Sequence, residues 1–404
     1  MNIEGYKEFH MKDKVKFYYS LATFINYGVI SIVTTFYVPY LNQVVGLSLS
    51  EVSKVVSIGA LFAIISQQFL VGKFSASENK KKFIIVHLCG LICMIVFLMF
   101  LNRSSIYFFA VLYGIIIQTV GTIYEVYVEE LCVKQRMEYS QIRKWGSIGF
   151  GCIVLLCGSI ISSYGFKYIH LLGIVLTSIV ILIIAIKFSD IESMKKRTTI
   201  KLSNILKNKN SIILGFTSIL IIGVYNAIEF AYSTYLIEIT GNTALANSIY
   251  SKSIFARVFV EFISFILVGR FLNGKNPKKY LIISFLIGAM RILLFSTGYI
   301  PLIVLGDQLH GLMYACYLTF LFKYIREVVN DELVAGTYAF VTVLGSAGAN
   351  FLYPQMFSAI QVRFGYTTMY LVGFSIILIC SLIAFKILPE SKQYIKDGKM
   401  YNDL

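Results

Sequence analysis

Charged residues are scarce in this chain of 404 residues. Asp, Glu, Lys and Arg make up 14% of it, and apolar residues make up 57%. A soluble domain carries about a quarter charged residues, so the composition excludes a water-soluble globular protein and is typical of an integral membrane protein. Proline is also scarce, with 5 residues against 29 glycines, which suits long helices that pack closely in lipid.

Several kinds of site are absent from the sequence. It contains no glycine-rich nucleotide loop and no metal-ligand spacing, and its seven cysteines lie in or beside apolar runs, where we expect buried free thiols. We therefore expect no enzyme activity, no metal and no cofactor, with a proton gradient as the energy source. The net charge of +15 could suit nucleic acid, but the positive residues cluster in short loops between apolar runs. Such clusters set membrane orientation, so no nucleic-acid partner is expected.

Apolar segments long enough to cross a membrane recur twelve times. About 20 helical residues cross the roughly 30 Å of hydrocarbon. The segments lie at about 15–41, 52–74, 82–101, 105–131, 144–165, 167–188, 211–238, 244–272, 280–298, 301–325, 333–361 and 364–388. The sequence thus predicts an all-α integral membrane protein with twelve transmembrane helices in two six-helix pseudo-symmetric halves.

The long polar break after the sixth segment divides the chain. We predict an N-terminal half at 1–188, a basic linker at 189–210, a C-terminal half at 211–388 and a tail at 389–404. Lysine and arginine concentrate in the loops after even-numbered segments and in the linker, and the opposite loops carry almost none. By the positive-inside rule this predicts a multi-pass cell-membrane protein with both termini in the cytoplasm.

An internal repeat relates the two halves. LVGKF at 70–74 recurs as LVGRF at 267–271, and KKF at 81–83 then matches KKY at 278–280 without a gap. Both copies follow the second segment of a six-segment half. The shared position favours duplication over chance. Two duplicated halves are the plan of transporters that work by alternating access, with a substrate site near the membrane midplane.

Three charged residues lie near the end of the fourth segment and the start of the fifth. Glu125 and Glu129 lie one helical turn apart before a short basic turn, and Arg143 opens the next run. Carboxylates at membrane depth are costly, so they usually face a protein interior or a watery cavity. A guanidinium facing a carboxylate can bind neutral, hydroxyl-rich molecules. Counting 1.5 Å per residue places Glu129 nearer the level of Arg143, although the arginine could reach either acid. A structural ion pair is the simpler alternative.

A second polar group is predicted in the C-terminal half. Asp307 and His310 are three residues apart in the tenth segment, and Arg291 lies at a similar depth in the ninth. An acid, an imidazole and a guanidinium at one depth can form a titratable network, with Asp307 as the expected proton carrier. Glu229 in the seventh segment and Glu261 in the eighth are further candidates. The alternative is a satisfied polar cluster that only holds helices together.

Longer motifs carry a family resemblance. YEVYVEE at 124–130, which contains Glu125 and Glu129, is followed by IRKWGSIGF at 142–150, in which an arginine precedes a glycine-rich helix start. Leu309-His310 and then FKYI at 322–325 keep a spacing seen in the tenth span of one transporter group. In these stretches the chain resembles the major facilitator superfamily, and within it the lactose permease group of oligosaccharide:proton symporters. The resemblance covers all twelve segments at low identity.

The resemblance implies roles for individual residues. Glu125 and Arg143 would bind sugar hydroxyls, and Phe150 would stack on the sugar ring. Arg291 and His310 would belong to the proton-coupling network. The chain also departs from the pattern, since the proton-carrying glutamate of the family is Met313 here. Further departures are Ala76 for an aspartate, Asp307 for a lysine, Ser346 for a second lysine and Tyr232 for a second aspartate.

These observations favour a secondary transporter of a small polar solute, with a sugar or oligosaccharide first, coupled to proton symport. We expect solute, protons and lipid as its partners and a monomer as its state. A nucleoside:proton symporter is the next alternative, since a related branch of the superfamily takes nucleosides. An exporter of amphipathic compounds and a non-transporting receptor or scaffold remain as further alternatives.

Overall fold

The computed structural model describes the backbone of residues 3–190, 202–272 and 274–391. Side chains are described from residue 14 onward in these ranges, apart from those at 68, 118, 331 and 335. No strand occurs in this part of the chain, so the predicted all-α class is confirmed. Residues 191–201 of the predicted linker and residues 392–404 of the predicted tail lie outside the described residues.

Seven helices build the N-terminal part, and each predicted segment is helical. Their bounds are α1 (Ile3–Thr35), α2 (Tyr37–Gln43), α3 (Leu49–Ala76), α4 (Lys80–Met99), α5 (Ile106–Lys134), α6 (Tyr139–Tyr164) and α7 (Phe166–Lys187). Asn79 caps α4 by accepting a hydrogen bond from the backbone N–H of Lys82 at 2.9 Å. Gly165 ends α6 in the left-handed region, with φ 88°, which a glycine adopts without a Cβ clash.

The C-terminal part is less regular. Its α-helices are α8 (Leu202–Lys207), α9 (Lys209–Thr217), α10 (Val224–Ala227), α11 (Tyr232–Thr240), α12 (Thr243–Phe271), α13 (Pro277–Phe295), α14 (Ile300–Val328), α15 (Val334–Val343) and α16 (Ala349–Ile387). The seventh predicted segment is not one continuous α-helix, which corrects the expectation, because π and 3₁₀ turns separate α9, α10 and α11. Gly365, with φ 80°, bends α16 and so separates the last two segments.

Eight helical stretches within the described residues are long and apolar enough to cross a membrane. The last of them, Gly336–Ile387, contains the bend at Gly365 and covers two predicted segments. The helices α12, α13 and α14 fall short of this measure. They contain Glu261, Arg291, Asp307 and His310, the residues for which polar roles were predicted.

The described helices group into two compact units. The first contains Met1–Ser48, Ile58–Arg197 and Thr240–Val258, and the second contains Leu49–Ser57, Thr198–Ile239 and Phe259–Leu404. The units are defined by spatial contacts, so they interleave along the chain. The predicted division at residues 188 and 211 therefore stays a prediction.

The structure extends the internal repeat. In the last two helices of each half the matching positions are 200 residues apart: YGF at 164–166 corresponds to FGY at 364–366. The glycines at the centres of these motifs, Gly165 and Gly365, both adopt positive φ at a helix boundary. Sequence and backbone conformation agree at these positions, which supports duplication.

The cysteines depart from the expectation. Cys132, Cys157 and Cys316 are buried free thiols, but Cys89, Cys93 and Cys152 are exposed. The outer surface of a membrane helix bundle faces hydrocarbon, where a small apolar side chain is tolerated. The expectation of buried thiols is therefore wrong for these three residues.

Candidate functional site

The first unit contains a three-residue polar cluster built from α1, α5 and α6. Arg143 on α6 donates from Nε to Oε1 of Glu125 on α5 at 2.8 Å. The hydroxyl of Tyr27 on α1 donates to the same carboxylate oxygen. The Arg143 guanidinium also lies over the Tyr27 ring, 4.2 Å from its centroid. Tyr27 thus holds both charged partners, through a hydrogen bond and a cation–π contact.

Close packing of α1 and α6 allows this geometry. A Cβ at Gly146, one turn after Arg143, would lie 2.6 Å from Cδ2 of Tyr27. A Cβ at Gly149 would lie 2.9 Å from the Cα of Phe24. Only glycine lets the two helices approach to this distance, which places the Tyr27 hydroxyl within reach of α5.

The cluster keeps unused hydrogen-bonding groups. Its charged side chains are accessible, 36% for Arg143 and 40% for Glu125. Within the described part of the chain, Nε is the only Arg143 atom and Oε1 the only Glu125 atom in a side-chain hydrogen bond. The terminal guanidinium nitrogens and the second carboxylate oxygen therefore present donors and an acceptor side by side. A polyhydroxylated molecule can use both.

The other two candidates of this group lie outside the cluster. Glu129 is exposed, and the ion pair of Arg143 is formed with Glu125. The rise per residue gave only the level along the membrane, at which Glu129 is the nearer acid, and left open which of the two acids Arg143 contacts. Phe150 is half-buried on α6, seven residues after Arg143, and so lies on the same face two turns away.

The second unit contains a buried charge cluster. Arg291 on α13 donates from Nη2 to Oδ1 of Asp307 on α14 at 2.9 Å, and also to Glu229. The side chains of Arg291 and Asp307 are 1% and 0% exposed, whereas that of Glu229 is 27% exposed. One guanidinium therefore faces two carboxylates, and the cluster has a formal charge of −1 when both acids are ionised.

Aromatic rings complete this cluster. The Tyr225 hydroxyl and Nδ1 of His310 are 2.7 Å apart, a hydrogen bond whose donor depends on the imidazole tautomer. The Arg291 guanidinium lies 5.0 Å from the ring centroid of Tyr225 and 4.9 Å from that of Phe295. Nε and Nη1 of Arg291 are buried, and neither has a hydrogen-bond partner among the described residues. Ring faces thus take the place of part of the hydrogen bonding of the guanidinium.

Glycines set the helix approach in this unit as well. A Cβ at Gly306 would lie 3.2 Å from the carbonyl oxygen of Arg291, so α13 and α14 meet closely just before Asp307. A Cβ at Gly311 would lie 2.7 Å from the Cα of Glu261. The half-buried Glu261 on α12 is thereby held beside α14, at the turn that contains His310.

Some residues of these clusters were missed in the sequence. Tyr27 and Tyr225 are two of 28 tyrosines, and no pattern distinguishes them from packing residues. Lys80 is one of the loop cations that were interpreted as orientation charges, but it is 1% exposed and pairs with Glu130 at 2.6 Å. The three lysines at 80–82 and the two glutamates at 129–130 were visible in the sequence, but the contact between Lys80 and Glu130 was not.

Comparisons with known proteins agree with this fold. The sequence profile of the MFS_1-like family matches residues 17–352. A mutant form of the nucleoside transporter NupG has a similar structure, with TM-score 0.81, 14% identity and coverage of 93% of this chain and 99% of that chain. Comparison of the sequence with those of curated proteins returns no match.

Two further structures are similar. A bacterial homologue of the human lysosomal transporter Spinster gives TM-score 0.66 at 14% identity, covering 93% of this chain and 96% of that chain. The human organic anion transporter MFSD10 gives 0.63 at 11% identity, covering 92% and 99%. Identities this low show the fold alone. The family match covers most of the sequence, so the chain belongs to the MFS_1-like family and is a major facilitator superfamily transporter, not an enzyme.

Proposed function

We propose that the protein imports a small polar solute, with a sugar or oligosaccharide as the favoured class, by proton symport and alternating access. The observation that supports this most directly is the cluster of Glu125, Arg143 and Tyr27. It is accessible, and it retains donors on the guanidinium and an acceptor on the carboxylate. These remaining groups offer a hydroxyl-rich solute hydrogen-bond partners that the ion pair does not occupy.

The second cluster supports proton coupling. With one guanidinium and two carboxylates, the cluster can accept one proton and become neutral. Asp307 was the expected carrier, but burial favours Glu229, because its side chain is accessible and that of Asp307 is sealed. Protonation of Glu229 removes its ionic attraction to Arg291. That change in interaction energy can shift the balance between two transporter conformations.

The remaining parts of the proposal concern its setting. A proton gradient supplies the energy, and no cofactor takes part. The protein acts as a monomer in the cell membrane with both termini in the cytoplasm. Lysines and arginines in the loops after even-numbered segments support this orientation.

A nucleoside is the second candidate solute. The rings of Tyr225, His310 and Tyr314 stack in a row, with centroid separations of 5.6 Å and 5.4 Å and interplanar angles of 22° and 14°. A flat base can extend such a row. The similar NupG structure is that of a nucleoside transporter, which adds support by analogy.

Solute-driven proton uptake in proteoliposomes tests the proposal. The panel contains mono- and oligosaccharides, nucleosides and lipophilic cations, and pH change in the lumen is recorded with an entrapped dye. We expect one sugar to drive proton uptake. Uptake driven only by nucleosides would favour the second candidate. Efflux of lipophilic cations without solute-driven uptake would favour an exporter, and no flux of any compound would favour a receptor or scaffold.

Variants of the two acids separate binding from coupling. Glu229→Gln is expected to retain solute exchange and lose proton movement. Asp307→Asn keeps the accessible acid and is expected to retain proton movement with a changed pH dependence. If Asp307→Asn loses proton movement while Glu229→Gln keeps it, the assignment of the carrier is reversed.

A further inference from the structure

The seventh membrane-spanning stretch, Lys209–Thr240, changes its helical register four times. Helix α9 leads into a π-helical segment at Ser218–Gly223, which is followed by α10. A 3₁₀ segment at Ile228–Ala231 then precedes α11. π segments place more residues in a turn than an α-helix and 3₁₀ segments place fewer. Tyr225 lies between the two irregular segments and Glu229 lies in the second, so the direction of both side chains depends on the register.

A second π segment packs against the first. It covers Leu344–Gly348, between α15 and α16. The Ser218 hydroxyl donates to the carbonyl oxygen of Val341 at 2.8 Å. Nδ2 of Asn226 donates to the carbonyl oxygen of Gly345 at 2.9 Å. A Cβ at Gly345 would lie 3.2 Å from Cγ2 of Ile222, so the absence of a side chain permits this contact.

The position of Asn226 gives this hydrogen bond its significance. Asn226 follows Tyr225 directly and precedes Glu229 by three residues, within one turn. Converting the π segment into regular α-helix shifts the following residues by one position, which is a rotation of about 100° around the helix axis. Such a rotation would carry the Glu229 carboxylate away from Arg291 and the Tyr225 hydroxyl away from His310.

We propose that Asn226 is a positioning residue that holds the π register of this stretch, and that releasing it frees Glu229 from Arg291 for protonation. This inference rests on the proposed proton coupling, and it adds the change of helical register that would allow Glu229 to be protonated. In the observed register, the Glu229 carboxylate is paired with the Arg291 guanidinium. In the released register the Glu229 carboxylate takes up a proton from the aqueous phase and loses its ionic attraction to the Arg291 guanidinium. Asn226 touches neither solute nor proton and acts through Glu229.

Infrared titration of the purified protein tests the inference without requiring transport. The carboxyl band that Glu229→Gln removes reports the protonation of Glu229. We expect Asn226→Ala to move the titration midpoint of this band upward by about one pH unit, the size expected for the loss of one hydrogen bond. Asn226→Gln retains the donor group and is expected to restore the midpoint at least in part.

The matched control is Ser346→Ala. Ser346 lies in the second π segment, but within the described part of the chain its hydroxyl donates only to the carbonyl oxygen of Thr342, one turn earlier, at 2.8 Å. This variant is expected to leave the midpoint unchanged. Gly345→Ala, whose methyl group presses on Ser218, provides an independent disturbance in case Asn226→Ala does not fold, and the same upward shift is expected.

The outcomes separate this inference from the proposed function. An unchanged midpoint in both Asn226→Ala and Gly345→Ala, or no titrating band assignable to Glu229, overturns the inference, whatever transport shows. A shifted midpoint in a protein that no solute drives to take up protons supports the register role and overturns the symport proposal.

Discussion

Tyr127 and Tyr324, 197 residues apart in the chain, make the same hydrogen bond in the two units. Tyr127 on α5 donates to the carbonyl oxygen of Ser189 at 3.1 Å, and Tyr324 on α14 donates to that of Pro389 at 2.6 Å. Each tyrosine lies in the fourth predicted membrane segment of its half, and each acceptor follows the sixth segment. The repeat offset of 197 residues is that of LVGKF and LVGRF.

A lysine reinforces each of these hydrogen bonds. Lys81 donates to the carbonyl oxygen of Phe188 at 2.9 Å, and its counterpart Lys278 donates to the carboxylate of Glu390 at 2.6 Å. The chain that follows the sixth predicted segment of each half is therefore hydrogen-bonded to the third and fourth segments by equivalent side chains. Duplication preserved this fastening, which suits a structural role common to both halves.

Tyr127→Phe and Tyr324→Phe are expected to destabilise the protein to a similar extent. Each removes one donor and leaves a carbonyl oxygen without it, at a cost of about 1 kcal/mol. Thermal unfolding of the purified variants in detergent measures the effect. Tyr164→Phe is the control, because Tyr164 is exposed and its hydroxyl has no hydrogen bond within the described residues. An equal loss in all three variants would show that the fastening contributes nothing specific.

Two glycines at equivalent positions are predicted to be intolerant of alanine. A Cβ at Gly114 would lie 3.0 Å from the backbone nitrogen of Ala63, and one at Gly311 would lie 2.7 Å from the Cα of Glu261. The neighbouring atoms are backbone and cannot give way, so each alanine variant should lose about 1–3 kcal/mol.

The repeat supplies the control for this prediction. Gly72 and Gly269 are also 197 residues apart, but a Cβ at either one meets no atom within 4 Å. Alanine there should be neutral, or stabilising by up to about 1 kcal/mol, because alanine favours the helix. Thermal unfolding of the four variants checks the contrast. Equal sensitivity at all four positions would mean that close backbone approach is not the cause.

The sequence predicted the spans and the repeat because both depend on local patterns. Apolar length identifies a membrane helix, and the five-residue match revealed the duplication. The partner of Arg143 could not be predicted, because Glu125 and Glu129 share one face of α5 and the long arginine side chain can reach either acid. The contribution of Tyr27 depended on glycines in α6 that let α1 approach. The π register at Ser218–Gly223 left no mark in composition or hydropathy.

Only the scaffold is duplicated. At the repeat offset of 197, Arg291 corresponds to Met94 and Asp307 to Ala110, and Glu125 corresponds to Phe322. Each half therefore carries one polar cluster that the other lacks. The arrangement is consistent with a division of labour in which solute contacts and proton contacts evolved in different halves after duplication.

Glu125→Gln is predicted to weaken solute binding at least about tenfold. The substitution keeps the shape of the side chain but removes the charge that holds the Arg143 guanidinium, and charge-assisted hydrogen bonds contribute about 1.5–3 kcal/mol. Binding of the solute identified in the uptake panel is measured by calorimetry. Glu129→Gln serves as the matched control, because this acid is exposed and one turn away. If the two variants bind equally well, the cluster is only an ion pair.

Arg291→Gln is predicted to be strongly destabilising and to be rescued by a second substitution. Alone, it leaves two carboxylates facing each other without a counter-charge, and removing one partner of a buried ion pair costs about 3–5 kcal/mol. Adding Asp307→Asn returns the formal charge of the cluster from −2 to the original −1, so the double variant should recover much of the stability.

Thermal unfolding and size-exclusion profiles in detergent measure this rescue. Arg291→Gln combined with Glu332→Gln is the control, because Glu332 is an exposed acid of the same unit and its neutralisation does not relieve the cluster. If Asp307→Asn rescues Arg291→Gln and Glu332→Gln does not, the buried carboxylate of Asp307 is the reason that the protein requires the arginine. Equal recovery with Glu332→Gln would instead indicate a general effect of net charge, and an Arg291→Gln variant as stable as the parent would show that the two acids are neutral in the folded protein.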